Sequence, residues 1–202
     1  YYAENKAFEL CEKAIANNNK IFIDAEDFLI QDNISKISNK LMKHFNKRKV
    51  NVYKTYQMYK KNSFEELNQD LNLERDYLIG IKLVRGAYYN QDKQFNILHK
   101  NIEDTHYNYN KAITYFNNNS DYNDKLMIAT HNKNSVLLGL HQNNKNIEFS
   151  QLMGMSDNLS KMITKDGGIC YKYIPIGNLF DTIPYLLRRL YENPSMFFNI
   201  TK

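Results

Sequence analysis

The chain of 202 residues has no tryptophan and only two cysteines, Cys11 and Cys170. Neither cysteine belongs to a metal-spaced pair, and two do not make a disulfide framework, so their sparseness suits a reducing compartment. Long hydrophobic runs are also missing. The stretch Ile79 to Val84 is already broken by Lys82, far short of the roughly 20 apolar residues that cross a bilayer as a helix. A basic stripe interleaved with aromatics is lacking. The net charge of +5 comes from lysines scattered among asparagines, which indicates a solvated surface and no nucleic-acid footprint. No G-x-G-x-x-G or P-loop follows an apolar run, which removes the usual nucleotide fingerprints. No signal or transit pattern is visible. His44, His99, His106 and His141 form no ligand-spaced set, so no bound metal is expected.

What is present is a repeat of short β-type runs, each followed by a helical pattern. The runs are Ile21 to Asp24, Val50 to Tyr56, Leu78 to Val84, Lys125 to Thr130, Ile147 to Leu152 and Ile169 to Ile174. They are apolar and largely unalternated, as strands covered on both sides are. Helical spacing links Ile34, Ile37, Leu41 and Phe45, and again Val136, Leu137, Leu140 and His141. A helix over Ala3 to Ala16 precedes the first run, and Ser63 with Glu66 reads as a capping box. Repeated βα units predict a parallel sheet, either doubly wound or closed as a (β/α)8 barrel.

The barrel is favoured because reactive side chains sit at nearly every strand's C-terminal end: Asp24 and Glu26, Gln57, Arg85, Thr130 and His131, Gln151, and Tyr173. A barrel assembles its active site from those ends, whereas an open sheet concentrates its contacts at one switch point. A whole barrel takes about 250 residues, so six strands here carry the expectation that about two N-terminal strands are missing. The single domain then covers residues 1–202 as an incomplete barrel.

Three segments carry chemistry. In Leu186 to Asn193, the adjacent Arg188 and Arg189 can grip a carboxylate with planar forks. Glu192 is within helical reach of both, and the rival reading is an exposed ion-pair face. In Ile81 to Tyr89, a strand ends in Arg85, followed by Gly86 and Ala87, which let a ligand approach the backbone. Its rival is a strand with snorkelling cations and an ordinary turn. In Ala129 to Asn132, small hydrogen-bonding side chains suit phosphate or ring contacts, and the rival is a helix N-cap at Thr130 or Asn132. Asp24 and Glu26, two apart on a strand, also allow a carboxylate-pair hydrolase.

Seven segments, taken in order, resemble the proline dehydrogenase family. They are Ile23 to Glu26, Thr55 to Tyr59, Lys82 to Tyr88, Thr130 to Asn132, Gln151 to Met155, Tyr173 to Gly177 and Tyr185 to Asn193. The wording Lys82-Leu83-Val84-Arg85-Gly86-Ala87-Tyr88 resembles the eukaryotic, mitochondrial branch. The resemblance implies a flavin-binding (β/α)8 barrel that oxidises L-proline to Δ1-pyrroline-5-carboxylate and passes electrons from FADH2 to a membrane quinone. It also implies a mitochondrial location with peripheral association with the inner membrane. By position, Arg188 and Arg189 would clamp the proline carboxylate, and Glu192 and Asp24 would orient that pair. Tyr88, Tyr173 and Leu152 would close over the ring. Gln57, Lys82, Val84, Arg85, Gly86, Ala87, Thr130, His131 and Asn132 would hold FAD. A lysine that the family carries on its first strands has no counterpart here. The alternative is therefore a truncated or degenerate barrel that binds without turnover.

Overall fold

The computed structural model describes residues 2–178, 180, 182–184 and 187. Helix α1 (Tyr2–Ala16) leads into six strands: β1 (Ile21–Ile23), β2 (Val52–Gln57), β3 (Gly80–Val84), β4 (Lys125–Ala129), β5 (Ile147–Leu152) and β6 (Cys170–Tyr173). Between them lie α2 (Phe28–Phe45), α3 (Ser63–Asn72), the short α4 (Tyr89–Asp92), α5 (Ile102–Asn119), α6 (Lys133–His141) and α7 (Asp157–Lys165). Each strand pairs in parallel with the next, so sheet order equals chain order. The six expected strands are all present, with ends that move by one or two residues. Just before β2, the Asn46 side chain at the end of α2 accepts the Asn51 and Val52 N–H groups.

The sheet curls into a half-barrel of the TIM type. Lys20, just before β1, reaches the Glu148 carboxylate on β5 at 2.8 Å and the Tyr171 hydroxyl on β6 at 3.2 Å. Flat strands spaced about 4.8 Å apart would put β1 and β5 about 19 Å from each other, so this contact requires curvature. Burial tends to lower the Lys20 ammonium, but the Glu148 carboxylate outweighs it and the net shift is upward.

Side-chain alternation divides the strands between two faces. Ile81, Leu83, Leu126, Ile128 and Phe149 face outward and form one core with Leu67 of α3, Tyr109, Ile113 and Phe116 of α5, and Val136 of α6. Val52 packs instead with Cys11, Leu41 and Met42 under α1 and α2. A charged residue is buried in this outer face. Lys54 on β2 is 2% exposed and pairs with Asp70 at 2.7 Å and Glu66 at 2.8 Å, while Tyr56 donates to Asp70 at 2.6 Å. That pairing corrects the capping box. Glu66 turns to Lys54, and the Ser63 hydroxyl donates to the Gln57 carbonyl at 2.5 Å, so neither side chain closes the first turn of α3.

Candidate active site

The parallel strands bring their C-terminal ends to one mouth, and with them Asp24, Gln57, Arg85, His131, Leu152 and Tyr173. The inward parity of β3 carries Lys82 and Val84 into the lumen, opposite Ile81 and Leu83. Lys82 forms an ion pair with Asp24 beyond β1, and its ammonium lies 5.9 Å from the Phe22 ring and 6.0 Å from the Tyr173 ring. One cation therefore connects β1, β3 and β6 across the hollow. The premise of a carboxylate-pair hydrolase does not hold in the structure. Strand β1 ends at Ile23, so Asp24 and Glu26 are not two apart on a strand.

Gln57, the last residue of β2, ties two loops of the mouth together. Its amide donates to the Glu26 carbonyl at 2.8 Å, and its oxygen accepts from the Ala87 N–H at 3.4 Å. Gly86 has φ of +139°, a backbone state that an L-residue resists, and it lies flat against the Tyr59 ring. The turn after β3 is thus held on one side by the Tyr59 ring and on the other by the Gln57 side chain.

Arg85 and Thr130 fall on the other parity and form a second cluster on the helix side. The Arg85 guanidinium donates to His106 Nδ1 at 2.9 Å, to the Thr130 hydroxyl at 2.7 Å and to the Ser135 hydroxyl at 3.0 Å. It also lies 4.4 Å from the Tyr109 ring. Burial lowers its pKa. Burial first and Arg85 second lower His106, which favours the neutral imidazole that accepts the Arg85 proton. Asn132 caps α6 through the Ser135 N–H, as the N-cap reading has it. Arg85, Thr130 and Asn132 thus sit on the helix side of the sheet, at the start of α6, and not in the lumen.

His131 accepts the Leu152 N–H on Nε2 at 3.1 Å, which needs the neutral ring. Burial first, then Lys172, pushes its pKa down to about 4 from the usual 6.5. The unfolded chain therefore binds a proton that the folded chain refuses. Stability is unaffected above about pH 6.5, falls as pH drops toward 4, and loses nothing more from this group below that. His131→Gln should make the loss between pH 7 and pH 4.5 smaller than in the parent by about 1–2 kcal/mol, discounted for partial exposure. Denaturation curves at the two pH values check this, and parallel losses in parent and variant would count against it.

Tyr88 caps α4, with its carbonyl accepting from Gln91 and Asp92, and Leu152 closes the inner side of β5. Arg188, Arg189 and Glu192 lie outside the described residues. Sequence reasoning missed Asp92, which is fully buried and bonded to Tyr59 and Phe28. Its neighbours Tyr89, Asn90 and Gln91 read as an ordinary polar surface turn. Among the described residues no group of three or more His, Cys, Asp or Glu could hold a metal, and no helix is long and apolar enough to cross a membrane.

Comparison with known proteins agrees with this geometry. The family model described as proline dehydrogenase matches residues 5–199. Proline dehydrogenase 1, mitochondrial, of Dictyostelium discoideum is 35% identical over 94% of this chain and 36% of its own length. The Arabidopsis thaliana protein of the same name is 36% identical over 96% of this chain and 43% of its own length. The chain thus spans well under half of these relatives. Among solved structures, a mutant of proline utilization A from Bradyrhizobium japonicum superimposes with a TM-score of 0.83 at 24% identity, covering 95% of this chain and 21% of that one. At that identity the likeness concerns the fold, whereas the family match covers nearly the whole sequence: the chain belongs to the proline dehydrogenase family.

Proposed function

We propose that the protein containing this chain is an FAD-dependent proline dehydrogenase. It would oxidise L-proline to Δ1-pyrroline-5-carboxylate and pass two electrons on to a membrane quinone. The observation that carries this reading is the mouth itself: the Lys82–Asp24 pair beneath Tyr173, flanked by Gln57 and the Gly86 turn. Family membership selects the chemistry for that mouth. The mitochondrial names of the relatives support a mitochondrial location; peripheral association with the inner membrane would bring the protein to its quinone.

The residues present fit a flavin dinucleotide. Lys82 sets a positive charge inside the lumen, where negative charge develops during reduction. The Gln57 amide, with a second N–H beyond the one on Glu26, offers a donor for a ring edge, and Arg85 with the start of α6 offers a phosphate subsite. The flavin, when bound, supplies the two-electron acceptor that no side chain here can provide. The chain's own share is binding and orientation. Arg188 and Arg189 would hold the substrate carboxylate, with Glu192 and Asp24 orienting them. Tyr88, Tyr173 and Leu152 would cover the ring and exclude water. The substrate nitrogen must lose its proton before the neighbouring C–H can leave as hydride.

The full-length protein should purify yellow and bleach on anaerobic addition of L-proline. A colourless protein that takes up no FAD would refute the reading and favour a barrel that binds without turnover.

A further inference from the structure

Asp92 ends α4 in the loop after β3, and its side chain is 0% exposed. Nothing in the chemistry proposed above uses it. One carboxylate oxygen accepts the backbone N–H of Phe28, the first residue of α2, at 2.8 Å. The other accepts the Tyr59 hydroxyl at 2.7 Å, with the Lys60 ammonium at 3.2 Å adding charge. Burial first, then the Asp92 bond, pushes the Tyr59 phenol pKa up, so it stays a donor. Tyr59 is fixed in turn. Its N–H bonds the Arg85 carbonyl at 2.7 Å, its carbonyl accepts the His99 N–H at 2.9 Å, and its ring lies against Gly86.

Three strand-end loops therefore meet on one buried carboxylate: the loop after β1 that carries Asp24, the end of β2, and the turn after β3 that carries Gly86, Ala87 and Tyr88. We infer that Asp92 is a positioning residue. It sets the spacing between the Asp24 side and the Tyr88 side of the mouth without touching substrate or cofactor. The inference rests on the proposed function for the catalytic consequence and on geometry alone for the tie.

Hydrogen exchange on the full-length flavoprotein tests the tie. In Asp92→Ala and in Tyr59→Phe, the segments 24–31 and 85–92 should together exchange at least about tenfold faster, the equivalent of one lost buried hydrogen bond. Strand β4 should be unchanged. Asp92→Asn keeps an acceptor for Phe28 but none on the other atom for Tyr59, so it should recover protection in 24–31 more than in 85–92. Turnover per bound flavin in Asp92→Ala should fall about tenfold, mostly in kcat, with flavin content retained. In Asp92→Ala, exchange rising in one segment only, rising throughout the protein, or staying flat would overturn the tie. Unchanged kcat per flavin would reduce Asp92 to a structural group. If the parent protein fails to bleach with proline, the proposed function falls, and the exchange of the two segments still decides the tie.

Discussion

Gly86→Ala is expected to destabilise the protein by about 2–5 kcal/mol, since a backbone state reserved for glycine costs about 1–3 kcal/mol and overpacking a similar amount. Two observations support this size. The φ of +139° is one that alanine resists, and the new Cβ would stand 2.4 Å from two carbons of the Tyr59 ring. Tyr59 cannot swing away, because Asp92, the Arg85 carbonyl and the His99 N–H hold its hydroxyl and its backbone. Flavin content should fall with stability, because Ala87 and the Gln57 side chain bonded to it move with Gly86. Denaturant midpoints and the ratio of flavin to protein absorbance measure both effects. A loss of stability below about 0.5 kcal/mol, the range of neutral surface changes, would mean that the turn adapts freely.

The second large effect belongs to the arginines. Arg188→Met or Arg189→Met should raise KM for proline by about one to two orders of magnitude, since a charge-assisted contact contributes roughly 1.5–3 kcal/mol and each 1.4 kcal/mol is tenfold. Adjacent residues on a helix point about 100° apart, so both can serve one carboxylate only from near the mouth. Flavin content should survive in these variants, because the proposed cofactor contacts lie at other strand ends. Lysine should rescue poorly, as a point charge does not reproduce the planar fork. A KM within about twofold of the parent would return that arginine to a surface ion pair with Glu192, of roughly 0.3–0.5 kcal/mol.

The strand order and the common mouth were legible because both follow from counting βα units. Which face a strand-end residue takes was less so. Side-chain parity has a period of two, and unalternated apolar strands do not say which parity faces the lumen. Lys82 and Arg85 read alike as cations of one segment, yet the lumen takes Lys82 and the helix side takes Arg85. Thr130 joins Arg85 on the outer side, in step with Leu126 and Ile128 of β4. Lys54 gave no warning of its burial, because its partners Asp70 and Glu66 stand on the next helix, where Glu66 reads as half of a capping box with Ser63. Asp92 was hidden for the same reason: its value lies in Phe28 and Tyr59, both distant in sequence.

The Lys20 bridge also bears on how the chain folds. Strands that pair in chain order need only short loops to close at each step, so the sheet can lengthen one βα unit at a time as the chain emerges from the ribosome. Lys20 and Glu148 are 128 residues apart, and contacts of such separation cost the most chain entropy to form and slow folding. The growing sheet brings them together only after β5 has docked, so the bridge is a late step that fastens curvature already set by strand twist.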